Sequence, residues 1–394
     1  MNRSRALFLA LSLAVLIPVV SGVLWSATRA GAESDEDSLY KHLAIFSEVL
    51  GLVRSSYVDE TDLAQLIAGA MDGSTDALDP LSVYLPAEAI APYAKAEAVG
   101  TAHSGIYALR SRGIAYVLAV EEGSPAAAAG FEPGDVLADI AGRSTRDMPA
   151  WEVEALLAGE PGTRLEIEVL RRGEAKRKTL ELAAYPVPSP RLETVEEFPM
   201  LRVTKLDGES EAAIRPLLEG LAAKEATQLL VDLRGVAGGS IEAAYAVGGL
   251  FAQGALGELH DHDRSLAKFD SESAPLWHGE VVALVDGSTL GAAEVLATIL
   301  RDRAGAKLVG VPTFGWAGVR SPVQLEGGAR LLMTTAFYRG PNGEPISKAL
   351  APDVLVDVLS ISFGERDIDL RDLILDRGIR VLRGEEEEAA ARAA

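Results

Sequence analysis

The stretch VDGSTLGAAE, residues 285–294, sets two hydroxyls, Ser288 and Thr289, between an apolar run (280–285) and a helical pattern that starts at Ala292. A strand-to-helix elbow exposes such hydroxyls beside the unpaired first-turn amides of a helix, the setting in which hydrolases display a nucleophile. Either hydroxyl could attack an acyl carbon if a base stood near, and the nearest lysine in sequence is Lys307. Turn and N-cap bonds need no base and use the same residue types. Gly291 follows with no side chain to offer. His260 and His262 flank Asp261, a spacing that could hold a metal on a strand. A polar loop with solvated histidines is the reading adopted, so no metal and no cofactor are expected. The chain has no cysteine, which excludes a thiol nucleophile, a thiolate metal site and disulfides.

The elements that must position these groups follow from periodicity. Alternating strand and helix patterns run through MLRVTKL, a helix over 209–223, TQLLVDLRG, a helix over 240–252, EVVALVDG, a helix over 292–303 and AKLVGV. That order predicts a sheet covered by helices, with its site at the carboxyl ends of the strands. Residues 101–184 change character: short β-like runs alternate with turn signals such as EEGSPAAAAGFEPGD, with one short helix over 151–158. YPVPSP (185–190) reads as an extended hinge or linker. Residues 37–98 carry helical spacing, with Asp62 as an N-cap. A last helix over 369–382 leads into an acidic, solvated tail.

Composition bounds the partners. The chain has 394 residues, 48% apolar, and a formal charge of −21, which argues against nucleic acid and anionic membrane surfaces. The basic run RRGEAKRK (171–178) is read as a solvated hairpin. Arg3 and Arg5 precede an uncharged run over 6–27, with small residues at Ala30 and Ala32. This describes an export signal cleaved after Ala32, or an anchor spanning the inner membrane through 6–27. Both place the remainder outside the cytoplasm, periplasmic or secreted, with membrane contact only through that segment.

Several stretches together resemble the C-terminal processing peptidases, also called tail-specific proteases. They are YVDE (57–60) and the LDP-S-YL pattern (78–85), then GSPAAAAGFEPGDVLADIAG (123–142) in a PDZ-like module. In the core they are LLVDLRGVAGG (229–239), LVDGSTLGAAEVLATILRDR (284–303), VGVPTFGWAG (309–318) and YRGPNGEPISKALAPDV (338–354). The fold expected is α/β plus a small β-rich domain. Its parts are a signal or anchor (1–32), a helical N-terminal region (37–98), a PDZ-like module (101–184), an α/β serine-peptidase-like core (198–358) and a C-terminal helix and tail (359–394).

The resemblance also implies where catalysis should sit. The family uses a serine nucleophile, three residues before a glutamate, with a lysine base and a nearby glutamine. Glu294 fixes the serine position at Gly291, TFGWAG puts Trp316 at the lysine position, and Arg320 takes the glutamine position. Glycine cannot form an acyl-enzyme, an indole offers only a donor, and arginine stays protonated. Losing one member of such a unit already costs on the order of a million-fold in a comparable serine protease. The oxyanion amides, at Gly239 and Ala292, are less damaged. The carboxylate-binding loop of the PDZ-like module should be Ser104, Gly105, Ile106, Tyr107 and Ala108, with Tyr107 in place of a family glycine.

The expectation is therefore an exported homologue without peptidase activity that binds protein C-terminal segments as a scaffold or regulator. The alternative is an active serine endopeptidase, cleaving near substrate C-termini through Ser288 or Thr289. A third reading is a structural module whose groove is closed by Trp316 and Tyr107.

Overall fold

The computed structural model describes residues 35–98, 102–111, 113–356 and 370–385. The expected signal or anchor (1–32) and the tail beyond 385 lie outside them. Among the described residues no helix is long and apolar enough to cross a membrane.

The chain divides into two units, 1–69 and 70–394. In the first, the helix Asp35–Ser56 leaves Leu39, Leu43, Val49 and Leu52 exposed. The helix Leu63–Asp76 opens there, with the Asp62 carboxylate accepting from the Ala64 amide at 2.8 Å as an N-cap should.

In the second unit, the region read as helical over 37–98 also holds a strand. Val83–Leu85 forms strand β1, ahead of the helix Ile90–Glu97. Val83 and Leu85 are buried, and β1 lies antiparallel to a distant strand, Val83 opposite Leu332. Its apolar side chains alternate, and Pro86 ends the run.

The small β module follows, with β2 (Ala102–His103), β3 (Ile106–Ser111), β4 (Ile114–Val120), β5 (Val136–Ile140), β6 (Arg143–Ser144), β7 (Ala158–Gly159), β8 (Arg164–Arg171) and β9 (Glu174–Glu181). Among the described residues its sheet has the order β3-β4-β5-β8-β9, with β6 on β5 and a separate β2-β7 pair. Ile106, Val117, Leu137, Ile140, Ile167 and Val169 fill its core with Val153 and Leu157, from and just after the helix Ala150–Leu156. The basic run does form the β8–β9 hairpin, but it is not solvated throughout. Arg171 turns inward to grip buried Asp135 with Nε at 2.5 Å and Nη2 at 2.7 Å. Lys178 Nζ caps the carbonyls of Ala129 and Gly130.

The α/β core holds β10 (Arg191–Val195), β11 (Phe198–Arg202), β12 (Gln228–Asp232), β13 (Gly254–His260), β14 (Ser265–Ser271), β15 (Glu280–Val285), β16 (Lys307–Gly310), β17 (Gly318–Gln324), β18 (Arg330–Arg339) and β19 (Val354–Leu355). Its main sheet runs β10-β11-β12-β15-β16-β19, parallel from β11 onward. Both faces are buried, so the strands read as continuous apolar runs. Val281, Ala283 and Val285 face the helices Ser210–Ala222, Ile241–Gly248 and Ala292–Ala304, while Val282 and Leu284 face the helix Leu370–Leu382. The helix expected over 240–252 stops at Gly248, where a Cβ would stand 2.8 Å from Ile299. A second sheet joins β17, β1 and β13 to β18, with β14 outside β13.

Candidate functional site

The site is built where the carboxyl ends of β12, β15 and β16 release three loops side by side. After β15, the Asp286 carboxylate accepts from the amides of Gly235 and Ser288, each at 3.0 Å, which ties the elbow to the loop after β12. The Leu290 amide donates to the Val236 carbonyl at 3.0 Å and reinforces that tie. The elbow thus comes before the chemistry: a short carboxylate at its first residue folds the turn locally.

Thr289 is fully buried; its hydroxyl accepts from the Asp286 amide at 3.0 Å and lies 3.1 Å from the Leu233 carbonyl. Ser288 is buried too, and its hydroxyl donates to the Leu118 carbonyl, on β4 of the β module, at 2.6 Å. Neither residue caps the helix, contrary to the N-cap reading; Gly291 stands at that position. Lys307 opens β16 opposite Val282, whereas the elbow leaves β15 after Val285. Three residues of strand, about 10 Å, separate it from the elbow end.

Gly291 adopts φ 62° and ψ −110°, a conformation that L side chains rarely enter. A Cβ there would find open space, meeting only the Trp316 carbonyl at 3.9 Å. Glu294 explains that proximity. Its carboxylate accepts from the amides of Gly291 (3.1 Å), Gly315 (2.6 Å) and Trp316 (2.9 Å) and from the Thr313 hydroxyl. The structure thereby brings positions 291 and 316 together through one buried side chain. Burial pushes the Glu294 carboxyl above its usual range, outweighing the four hydrogen bonds that oppose the shift.

The Trp316 indole donates to Thr334 Oγ1 at 3.2 Å and meets the Phe337 ring edge-on. Arg320, on β17, is turned to the Leu81 carbonyl at 3.1 Å. Leu81 belongs to the LDP-S-YL stretch, which Asp79 folds by accepting from the Leu81 and Ser82 amides and the Ser82 hydroxyl. Of the oxyanion candidates, Ala292 opens its helix, so its amide is one of the unpaired first-turn donors. Gly239 lies against the Leu206 carbonyl, and the Tyr107 hydroxyl stands 2.7 Å from where a Cβ of Gly238 would be.

Tyr107 leaves its own module. Its ring joins Leu109, Leu118 and Tyr116 of the β module in one apolar cluster with Ala237, Leu290, Phe314 and Trp316 of the core. Burial first, then the charge of Glu121, drives its phenol well above the usual range. Glu122 adds charge to this contact, pairing with Arg191 at 2.9 Å and Arg202 at 3.6 Å. The linker 185–190 is pinned rather than hinge-like: Tyr185 donates to Glu121, and Thr204 donates to the Pro188 carbonyl. The turn residues Glu121 and Glu122 and the threonine of TFGWAG were visible in sequence only as parts of motifs; their partners were not.

Ser104, Gly105 and Ile106 are buried, and Ala108 is half-buried. The His260 ring faces the Asp261 carbonyl, and the Asp261 carboxylate folds the β13–β14 turn by accepting from the Asp263 and Arg264 amides. Among the described residues no group of acidic or histidine side chains could hold a metal.

The family model described as peptidase family S41 matches residues 198–356, and one for the PDZ domain matches 116–171. Over both matched regions this chain is similar to the C-terminal processing peptidases. A carboxy-terminal-processing protease of Bartonella bacilliformis is 25% identical over 355 residues, covering 86% of this chain and 81% of that protein. The carboxy-terminal processing protease CtpA of Bacillus subtilis is 26% identical over 362 residues, covering 88% and 74%. The photosystem II D1 C-terminal processing protease shares the fold, with TM-score 0.64 and 21% identity over 77% of this chain and 85% of that one.

The Ser288 bond to Leu118 therefore joins the peptidase core to the PDZ domain. Ser288→Ala is expected to lower stability by about 1–2 kcal/mol, the worth of one buried hydrogen bond whose carbonyl is left unpaired. Urea unfolding reads that loss, and faster proteolytic nicking at 185–190 would report the loosened PDZ domain; no change in either would detach Ser288 from this role.

Proposed function

We propose that this chain is an exported, peptidase-inactive member of its family that binds extended protein segments through its PDZ domain, as a scaffold or regulator. The observation that carries the reading is Gly291. It is buried at the head of the helix, linked through Glu294 to Trp316, and has no atom with which to attack a carbonyl. The hydroxyls of Ser288 and Thr289 are committed to backbone carbonyls and the Asp286 turn, and Lys307 stands at the wrong end of β16. Export rests on the basic, apolar and small-residue pattern of 1–32.

A fluorophosphonate probe on the purified protein tests inactivity directly. No adduct is expected, and labelling of Ser288 or Thr289 would overturn the reading. The combined change Gly291→Ser, Trp316→Lys and Arg320→Gln asks whether the loss is local, with recovered peptide cleavage as the expected result. The PDZ contact with Ala237, Leu290 and Trp316 favours a second reading, a closed structural module. Calorimetry separates the two: peptides with apolar ends bind the scaffold and do not bind the closed module.

A further inference from the structure

Peptide-binding modules of this type add an extended ligand to an edge strand and hold its terminal carboxylate on loop amides at the head of that strand. Strand β3 is the edge of its sheet among the described residues. Ile106 and Ala108 share an apolar cluster with Val153, Leu156 and Leu157 of the neighbouring helical segment, so this segment packs beside the strand along which an added peptide would lie. The loop at the head of β3 is already occupied. The Ile106 amide, the first donor of the strand, gives its hydrogen to the Ser104 hydroxyl at 3.1 Å.

Ser104 cannot move aside easily. Its amide donates to the Leu157 carbonyl and its carbonyl accepts from the Ala126 amide, both at 2.9 Å, and it is 1% exposed. Gly105 has φ +80°, and a Cβ there would lie 2.1 Å from Ser124 Cβ, so the loop backbone is fixed from below as well. Charge adds to this. The Glu121 amide donates to the Gly105 carbonyl at 2.8 Å, and the Glu121 carboxylate accepts from Tyr185, whose hydroxyl is 2.9 Å from that same Cβ position. A negative charge thus sits one hydrogen bond behind the loop, where it repels an incoming carboxylate.

We propose that this PDZ domain reads internal extended segments by strand addition to β3 and does not read a terminal carboxylate, because Ser104 holds the Ile106 amide and Glu121 stands behind the loop. The ligand class is a peptide stretch with residues on both sides, or one whose end carries no charge. This rests on the peptide-binding reading above and narrows it.

The test uses the full chain and a fluorescent peptide ending in Ala-Leu-Ala, prepared as the free acid, as the C-terminal amide and with a glycine extension. Anisotropy should give affinities for the three forms within about twofold of one another. Ser104→Ala with Glu121→Gln should tighten the free acid alone, by about tenfold, the worth of one hydrogen bond to a charged group. Glutamine keeps an acceptor for Tyr185, and thermal unfolding verifies that the variant is folded. A free acid bound tenfold tighter than the amide by the unaltered protein overturns the proposal and leaves peptide binding standing. Absence of binding by all three forms overturns both.

Discussion

Asp232→Ala is expected to remove about 3–5 kcal/mol of folding stability, because it strands two guanidinium groups against the core. Asp232 ends β12 and is 3% exposed. Arg234 holds it with Nε on Oδ1 and Nη2 on Oδ2, each at 2.7 Å, and Arg202 Nη1 reaches Oδ2 at 3.1 Å. Arg234 also donates to the Arg371 carbonyl, so the same network fastens the C-terminal helix across the sheet. Burial alone would raise this carboxyl; the Arg234 hydrogen bonds and the charges of Arg202 and Arg234 prevail and hold it below its usual range. A depressed carboxyl contributes stability above its unfolded value, near 3.8, and that contribution is lost as pH falls through the lower folded value. Urea unfolding at neutral pH reads the loss, and Asp232→Asn should converge with the unaltered protein in acid. A neutral-pH loss below about 1 kcal/mol would show that the freed arginines find other partners.

Glu294→Ala is the second large effect, about 3–5 kcal/mol, because three amides and a hydroxyl lose their acceptor inside the protein. Glu294→Gln is not a mild substitute. Its amide nitrogen would face donors, since both carboxylate oxygens accept here. The pH dependence has the opposite sign to that of Asp232. A carboxyl raised on folding contributes fully below its unfolded value, near 4.5, and the contribution is lost as pH rises through the folded value. The stability advantage of the unaltered protein over Glu294→Gln should therefore grow as pH falls from 8 toward 4.5. A constant difference would mean that Glu294 does not titrate in this range.

The main sheet was legible because its pattern is local. Leu229 to Asp232 and Val281 to Val285 are apolar without interruption, and sheets covered on both faces leave that trace. The spacing of Gly291, Glu294 and Trp316 could be counted along the chain, and Glu294 joins these positions in space. What escaped was most of the contacts made over long loops. Three residues at Val83–Leu85 carry too little period to announce a partner at Leu332. Ser288 looks the same in sequence whether its hydroxyl faces solvent or a carbonyl 170 residues away. Tyr107 was read as a groove residue from its motif, yet alternation along β3 sends Ile106 to its own core and Tyr107 to the neighbouring one.

The left-handed backbone of Gly291 makes this elbow hard to convert to a serine–lysine site one residue at a time. A serine placed there alone takes on backbone strain of about 1–3 kcal/mol and finds an indole where a proton acceptor would be needed. A lysine at 316 alone brings an ammonium into the apolar company of Leu109, Leu118 and Leu290. Each single step lowers stability before a serine and a lysine stand together here, so the present arrangement is separated from a serine–lysine pair by a valley rather than a slope.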